Sequence, residues 1–498
     1  MKTQEVLSVT PQNVLSYLIQ ASKKHTQDQV AEENRYREIG FEDTKTQLGW
    51  MIPPAWRDVE RRVMEFMSLE LIRDKKYFIF VGMGASINTV KALIQLLGDP
   101  HKVTLYTLDS LDPTALGDLF SSIDDPSRAL IIGVSKSGLT RETQDLLKAV
   151  REIFESKKLP YHKHFLVLTD LLQGKQNMED MAWQDLQTLP IQVNRKTDIG
   201  GRFSAPHTLI FLLPLFLLLN QDMKRLKALW DQYLNLREQW MLEVATQAHE
   251  LAKEGSRYLA IVMEESLVYA LETWSIQLVQ ESLGSKIAYF DPKTVITVTG
   301  ATPAGFHEVR IGIPAPTMIV KAMLTMFLLQ VFVATFAFYK NINFVTQPKV
   351  EEYKKKITGT VFHKPHPQRI TITELIEKIR NSLPKSPHVK FIEVICYWYL
   401  QEESRNHLKQ IFHKAFPDKA ILVFEGSDWN HHSYQAAIQN GETLFILLIK
   451  RTYKQRVKGV SAKTLKKNIT TLTTIAHLTL ETLQRKAELF EVEDWSVR

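Results

Sequence analysis

The chain has 498 residues, 44% of them hydrophobic and 23% charged, with a formal net charge of +7. That length exceeds what one hydrophobic core fills, so two or three domains are expected in a soluble globular protein. A single cysteine, Cys396, excludes an intrachain disulfide framework and fits a reducing, cytoplasmic setting.

Residues 1–75 read as a polar, helical leading segment, without the basic end and apolar stretch of a secretory signal. A βα alternation follows over 76–222. YFIFVGMG is a strand entering a glycine turn and INTVKALIQLLG is a helix. KVTLYTLD and ALIIGVSKSG are strands, TRETQDLLKAVREIFESKK is an amphipathic helix, and HFLVLTD is a further strand. Short apolar strands separated by helices predict a doubly wound parallel α/β sheet. The stretch 223–256 reads as one long connecting helix. A second α/β domain is expected over 257–460, from RYLAIVM, SLVYALETWSIQLVQESLG, TVITVT and EVRIGI, completed by VKFIEVICYWYL, KAILVFE and TLFILLIK. Thr358 to His388 reads as a proline-bearing connection, and 461–498 as a helical tail.

Two apolar runs need a decision. Ala322 to Tyr339 is long enough to cross a bilayer, but Gln330 in its middle and charged flanks favour a buried helix. Leu209 to Leu219 is too short to span and contains Pro214. Both offer buriable surface, from which a homodimer is expected. Much of the positive charge lies in Lys450 to Lys467, where Tyr453 is the lone aromatic residue; that pattern reads as a solvated loop, with no nucleic-acid or membrane partner.

The loop GVSKSGLTRET follows a strand and opens a helix, so backbone N–H groups and the positive helix end converge on one spot. Ser135, Ser137 and Thr140 add hydroxyl donors and Lys136 a charge. A serine-rich helix cap is the plainer account, but it needs only one such side chain. VGMGAS, ending at Ser86, is a second glycine turn after a strand, weak evidence by itself. DIGGRFS puts Gly200 and Gly201 before Arg202, either a tight surface turn or a place where an arginine meets an anionic intermediate. Glu281, at the end of the apolar helix in IQLVQESLGSK, is either a general base or a helix-end carboxylate in a salt bridge. His431 and His432 are adjacent and point apart, so no metal set is expected.

Taken in order, GMGAS, SKSGLTRE, DIGGRFS, QLVQESLGSK and TQPKVEEYK resemble the loops of glucose-6-phosphate isomerases. They are most similar to the isomerase moiety of bacterial transaldolase/isomerase fusion proteins, over about residues 75 to 450, and DSLDP at Asp109 also matches. The resemblance implies two sugar-isomerase (SIS) type α/β domains and a cofactor-free aldose–ketose isomerisation of glucose 6-phosphate and fructose 6-phosphate, in glycolysis and gluconeogenesis. It implies that Ser135, Ser137 and Thr140 hold the substrate phosphate, with Ser86 and Lys136 lining the pocket. Glu281 would move the proton between C1 and C2 through a cis-enediolate, which Arg202 and the backbone at Gly201 stabilise. Gln347 and Lys354 would contact the sugar and assist ring opening. The ring-opening histidine would be His431 or His432, in NHHSYQ, while His307 in AGFHEVRI reads as structural. Departures from the family pattern fall at Ala85, Thr346, Lys349 and Asn430. They leave room for another hexose 6-phosphate, such as mannose 6-phosphate, or for a catalytically idle sugar-phosphate-binding regulator.

Overall fold

The computed structural model describes residues 6–24, 39–42, 44–98, 102–138, 140–170, 185–255, 258–283, 289–290, 306–311, 313–346, 367–432, 441–451, 453 and 462–492. The leading segment holds helix α1 (Pro11–Ser22), a small hairpin of β1 (Phe41–Glu42) and β2 (Lys45–Thr46), and helix α2 (Trp56–Ser68).

The first domain core follows as β3 (Tyr77–Gly82), α3 (Ala85–Leu97), β4 (Thr104–Leu108), α4 (Pro113–Ser121), β5 (Ala129–Val134), α5 (Arg141–Ser156), β6 (Phe165–Leu168) and β7 (Gln187–Leu189). Its five strands lie in the order β4-β3-β5-β6-β7, all parallel. Every residue of β3, β5 and β6 is buried, as a sheet covered on both faces requires. The chain steps outward from β3 to β4, then returns to β5 on the other side. Strand order therefore reverses between β3 and β5, and the crevice beyond their carboxyl ends is where such sheets take ligands.

Helices α6 (Leu209–Leu218), α7 (Met223–Arg237) and α8 (Met241–Lys253) come next. The stretch read as one connecting helix is thus two, interrupted at Glu238–Trp240. Strand β8 (Tyr258–Val262), helix α9 (Glu265–Leu283), and strands β9 (Tyr289–Phe290) and β10 (Phe306–Arg310) form a small parallel sheet in the order β10-β8-β9. TVITVT lies outside the described residues. Helix α10 (Met318–Tyr339) packs against α7, α8 and α9, and 94% of its most apolar window is buried inside the chain. Its mid-helix Gln330 donates to the Ala205 carbonyl at 2.6 Å. It is a core helix. Helix α6 is likewise buried along its whole length, so both apolar runs that suggested a dimer surface are covered within this chain.

The C-terminal third contains β11 (Gln368–Ile370), α11 (Ile372–Ser382), β12 (Phe391–Cys396), α12 (Glu402–Ala415), β13 (Ala420–Glu425), α13 (Gly426–His432), β14 (Thr443–Lys450), α14 (Ala462–Thr482) and β15 (Lys486–Val492). These strands do not complete the β8 sheet among the described residues. They form the second five-stranded parallel sheet, in the order β11-β15-β14-β12-β13. The doubly wound α/β class holds, with two five-stranded parallel sheets, but the second is drawn from the end of the chain. The presumed connection at Thr358–His388 contains β11 and α11, whose start is a capping box between Thr371 and Glu374. The expected terminal helix stops at Thr482. Gln484 takes a left-handed φ of 54°, and KAELFEV then continues as a strand paired with β14.

Candidate active site

The turn after β3 and the loop after β5 meet at the strand-order reversal, since Gly82 pairs with Val134 in register. Adjacent strands lie about 4.8 Å apart. Gly84 has φ +60° and ψ −141°, a backbone only glycine adopts easily. Ser86 is buried in the first turn of α3.

In the serine loop, Ser135 is buried and its hydroxyl donates to Thr140 Oγ1 at 3.2 Å. Gly138 takes φ +67°, and its carbonyl accepts from Gln144 Nε2 at 3.0 Å. Thr140 is the N-cap of α5 yet makes no side-chain capping bond. The helix-cap account therefore does not apply to Thr140, and the first-turn N–H groups of this sixteen-residue helix have no intrahelical carbonyl to donate to. Ser137 is exposed on the same loop. Lys136 donates to Gln47 Oε1 at 3.0 Å. Burial pushes its ammonium below the usual lysine range, Asp170, Glu42 and Asp198 oppose that, and the Arg202 charge adds to it. The cations of the serine loop and of DIGGRFS thus share one electrostatic field.

Gly201 and Arg202 lie in a short 3-10 turn that packs against both α3 and α9. No atom outside its own chain neighbours comes within 4 Å of where a Cβ at Gly201 would stand, so backbone is accessible there. The Arg202 guanidinium is buried and donates three ways: Nε to Ser282 Oγ at 2.8 Å, Nη1 to Glu281 Oε1 at 3.1 Å, and Nη2 to the Phe344 carbonyl at 2.5 Å. The other Glu281 oxygen accepts from Gln277 Nε2 at 3.0 Å. The sequence offered Glu281 either as a base or as a salt-bridged carboxylate. The structure shows the ion pair, and it is buried: the two side chains are 5% and 8% exposed. Removing one member of such a pair costs about 3–5 kcal/mol.

Glu281 and the β3 turn are joined through Gln277. A Cβ on Gly84 would stand 2.8 Å from Gln277 Nε2. Gln277 Oε1 in turn accepts from Asn88 Nδ2 at 3.2 Å. The glycine turn, the arginine turn and the end of α9 therefore form one wall. The N-terminal hairpin region closes it: Leu48 bridges to Ile199, Gly49 N–H donates to the Asp198 carbonyl, and Asn343 bonds Gly40 and Phe41.

His431 is carried by α13, which packs on α9 and α14. Its Nε2 lies 3.2 Å from Oε1 of Glu142, a buried residue in the first turn of α5. This places an imidazole beside the first turn of α5, within ion-pair range of a carboxylate. His432 shares the helix. His307, on β10, faces Glu254 at 3.4 Å, next to the end of α8. Gln347, Lys354 and Lys349 lie outside the described residues, which reach Thr346, whose hydroxyl donates to the Asn343 carbonyl. Asn430 is buried and accepts from Tyr397 Oη at 3.1 Å, and Ala85 is buried at the start of α3. Among the described residues no group of three His, Cys, Asp or Glu is arranged for a metal ion.

Four contributors escaped the sequence reading. Glu142 and Gln277 stand inside quoted motifs, as the last letter of SKSGLTRE and the first of QLVQES, so a signal existed. Gln47 and Asn88 carried none.

No family model matches the chain. A glucose-6-phosphate isomerase of Campylobacter jejuni is 26% identical over 231 residues, 45% of this chain and 54% of that protein. One of Thermus thermophilus is 29% identical over 244 residues, 48% of this chain and 55% of that protein. The chain spans about half the length of the curated relatives it matches. A solved glucose-6-phosphate isomerase from Chlamydia trachomatis aligns with 83% of this chain and 89% of its own, at 14% identity and a TM-score of 0.49. The resemblance read from the motifs is thus also a similarity of sequence to glucose-6-phosphate isomerases, over about half the chain.

Proposed function

We propose that this protein interconverts glucose 6-phosphate and fructose 6-phosphate, as a cytoplasmic enzyme of glycolysis and gluconeogenesis. The observation that carries the reading is the buried Glu281 carboxylate, held by Arg202 and Gln277 against the glycine turn that adjoins the serine loop. Aldose–ketose isomerisation needs one base that returns the proton it removes, and a carboxylate over one face of an enediolate does so. In this reading the hydroxyls of Ser135, Ser137 and Thr140 and the first-turn amides of α5 grip the phosphate. That grip supplies binding energy far from the reacting carbons. Lys136 and Ser86 line the same pocket.

Glu281 then takes the C2 proton and delivers it to C1 through a cis-enediolate. Arg202 has five N–H donors, three of them used on Ser282, Glu281 and Phe344, and its fixed charge stabilises the enediolate oxygen together with backbone at Gly201. His431, which faces Glu142, opens the pyranose ring, and Gln347 and Lys354 complete the sugar contacts on the strength of the family resemblance alone.

The test is turnover of the purified full chain on fructose 6-phosphate in a coupled assay, with mannose 6-phosphate run alongside. The expected result is glucose 6-phosphate formation that vanishes in Glu281→Gln while phosphosugar binding persists. Binding without turnover in the parent would make the protein a phosphosugar-binding regulator. Turnover confined to mannose 6-phosphate would reassign the substrate.

A further inference from the structure

Asn88, Gln277 and Glu281 form a buried line of hydrogen bonds across two helices, each residue no more than 6% exposed. Gln277 and Glu281 are one turn apart on α9, and Asn88 stands on α3, which packs against it. Polarity along the line follows from its charged end. A carboxylate only accepts, so Gln277 turns its Nε2 toward Glu281 Oε2 and is left with Oε1 facing away. Asn88 meets that oxygen with its Nδ2 donor. Gly84 closes on the same amide from the phosphate side, leaving no room for a β-carbon. Asn88 Oδ1 is buried without a hydrogen-bond partner, so this side chain has accepted an unsatisfied oxygen while supplying a donor to Gln277.

We propose that Asn88 is a positioning residue, which holds the Gln277 amide with its N–H toward Glu281 and so sets the proton affinity of the proton-transferring carboxylate. The inference rests on the reading of Glu281 as the isomerase base, whose other oxygen faces the Arg202 guanidinium at 3.1 Å, a charge that the variants below leave in place. A rotated Gln277 amide would face Glu281 with its oxygen, two acceptors in contact, and that arrangement favours the protonated acid over the base.

The variant that forces the rotation is Asn88→Asp. A carboxylate at position 88 accepts only, so it recruits Gln277 Nε2 and leaves Oε1 toward Glu281. The acid limb of kcat/KM for fructose 6-phosphate should then move to higher pH by about one unit. Asn88→Leu removes the donor without adding charge and covers the case in which the aspartate variant does not fold. It should lower kcat about three- to tenfold while KM changes less than twofold. A merely structural asparagine would move melting temperature or KM and leave the acid limb in place.

The deciding arm is Asn88→Asp in a Gln277→Leu background, where the limb should no longer respond. An equal shift with and without Gln277 would mean a direct field from the new charge and would overturn the proposal. So would a full-rate Asn88→Leu variant. A parent that binds hexose phosphate without turnover overturns the functional reading and the inference with it; a parent that turns over while the variants miss these shifts overturns the inference alone.

Discussion

The molecule contains the same crevice twice and treats the two copies in opposite ways. In the first sheet the strand order reverses between β3 and β5, and the turns there are GMGAS and SKSGLTRE, small, hydroxylated and glycine-bearing. In the second sheet it reverses between β12 and β14, and the residues beyond β12 are Tyr397, Trp398 and Tyr399. Tyr397 and Trp398 are buried, Tyr453 Oη donates to the Tyr397 carbonyl at 2.6 Å, and the Lys450 ammonium stands 5.5 Å over the Trp398 ring. The rim is occupied as well, because Tyr399 N–H donates to Asp112 Oδ2 of the DSLDP turn at 3.0 Å. Topology supplies a strand-order reversal in both sheets. The side chains at the turns decide whether the crevice there receives a substrate or another part of the same chain.

The strongest way to break this contrast is chemical. Glu281→Gln is nearly isosteric and keeps a hydrogen-bonding partner for Arg202, so the fold should survive at a lowered melting temperature, the buried Arg202 charge having lost its counterion, while kcat falls by about 10³-fold, within the range of general-base contributions. A coupled assay with a melting curve on the same sample checks it. Residual turnover within tenfold of the parent would remove the first crevice from the chemistry.

The binding contrast comes next. Ser135→Ala combined with Thr140→Ala removes two hydroxyls from the proposed phosphate cradle, each worth about 1.5–3 kcal/mol when bonded to a dianion. KM for fructose 6-phosphate should rise by about 10²- to 10⁴-fold. Trp398→Leu, in the second crevice, should leave KM unchanged and lower the melting temperature. A KM effect from Trp398 would mean that the second crevice also serves substrate.

The contrast also shows what the sequence could and could not convey. The motifs of the first crevice were legible because each is contiguous and sits where a strand ends, so local chemistry and position arrive together. Glu281 and Arg202 were legible as residues, but their ion pair joins positions 79 apart in the chain and no local pattern announces it. Strands of the C-terminal third are visible as apolar runs, yet an apolar run does not name its partner, and among the described residues they form a sheet of their own rather than extending the β8 sheet. KAELFEV reads as helix because it prolongs an apolar helical pattern, and the left-handed turn at Gln484 separates the two. Asn88 and Gln47 belong to segments whose composition is ordinary. Their importance is purely tertiary.

Two glycines sharpen the comparison at the backbone. Gly84→Ala puts a methyl 2.8 Å from Gln277 Nε2 at a strained φ, at a cost of about 1–3 kcal/mol, and should displace the amide that serves Glu281. Gly426→Ala, at the start of α13, puts one 2.3 Å from the Tyr397 ring. The first should lower kcat more than its stability loss explains. The second should lower stability and act on rate only through His431, as a change in activity toward the cyclic sugar. Equal losses of kcat on the open-chain and cyclic forms in Gly426→Ala would detach α13 from ring opening.

The smallest effect concerns how the second sheet is attached to the first. Glu425, at the end of β13, is buried, and burial followed by the nearby Asp109 charge raises its carboxyl from the usual value to about 8. Asp109 is itself bonded to Lys91, and Leu400 N–H donates to Glu425 at 3.2 Å. Because the folded value lies above the unfolded one, the stability contributed by this group is complete below about pH 4.5 and is lost progressively as pH rises through about 8. Glu425→Gln keeps the shape and cannot ionise. Its melting temperature relative to the parent should therefore climb by a few degrees from pH 5 to pH 8 and then level off. Substrate KM should not follow, since the group faces Asp109 and the Leu400 amide at the contact between the two sheets. A melting difference that is constant across that range would show that the Glu425 carboxyl has the same proton affinity in the folded and unfolded chain, so that burial beside Asp109 does not raise it.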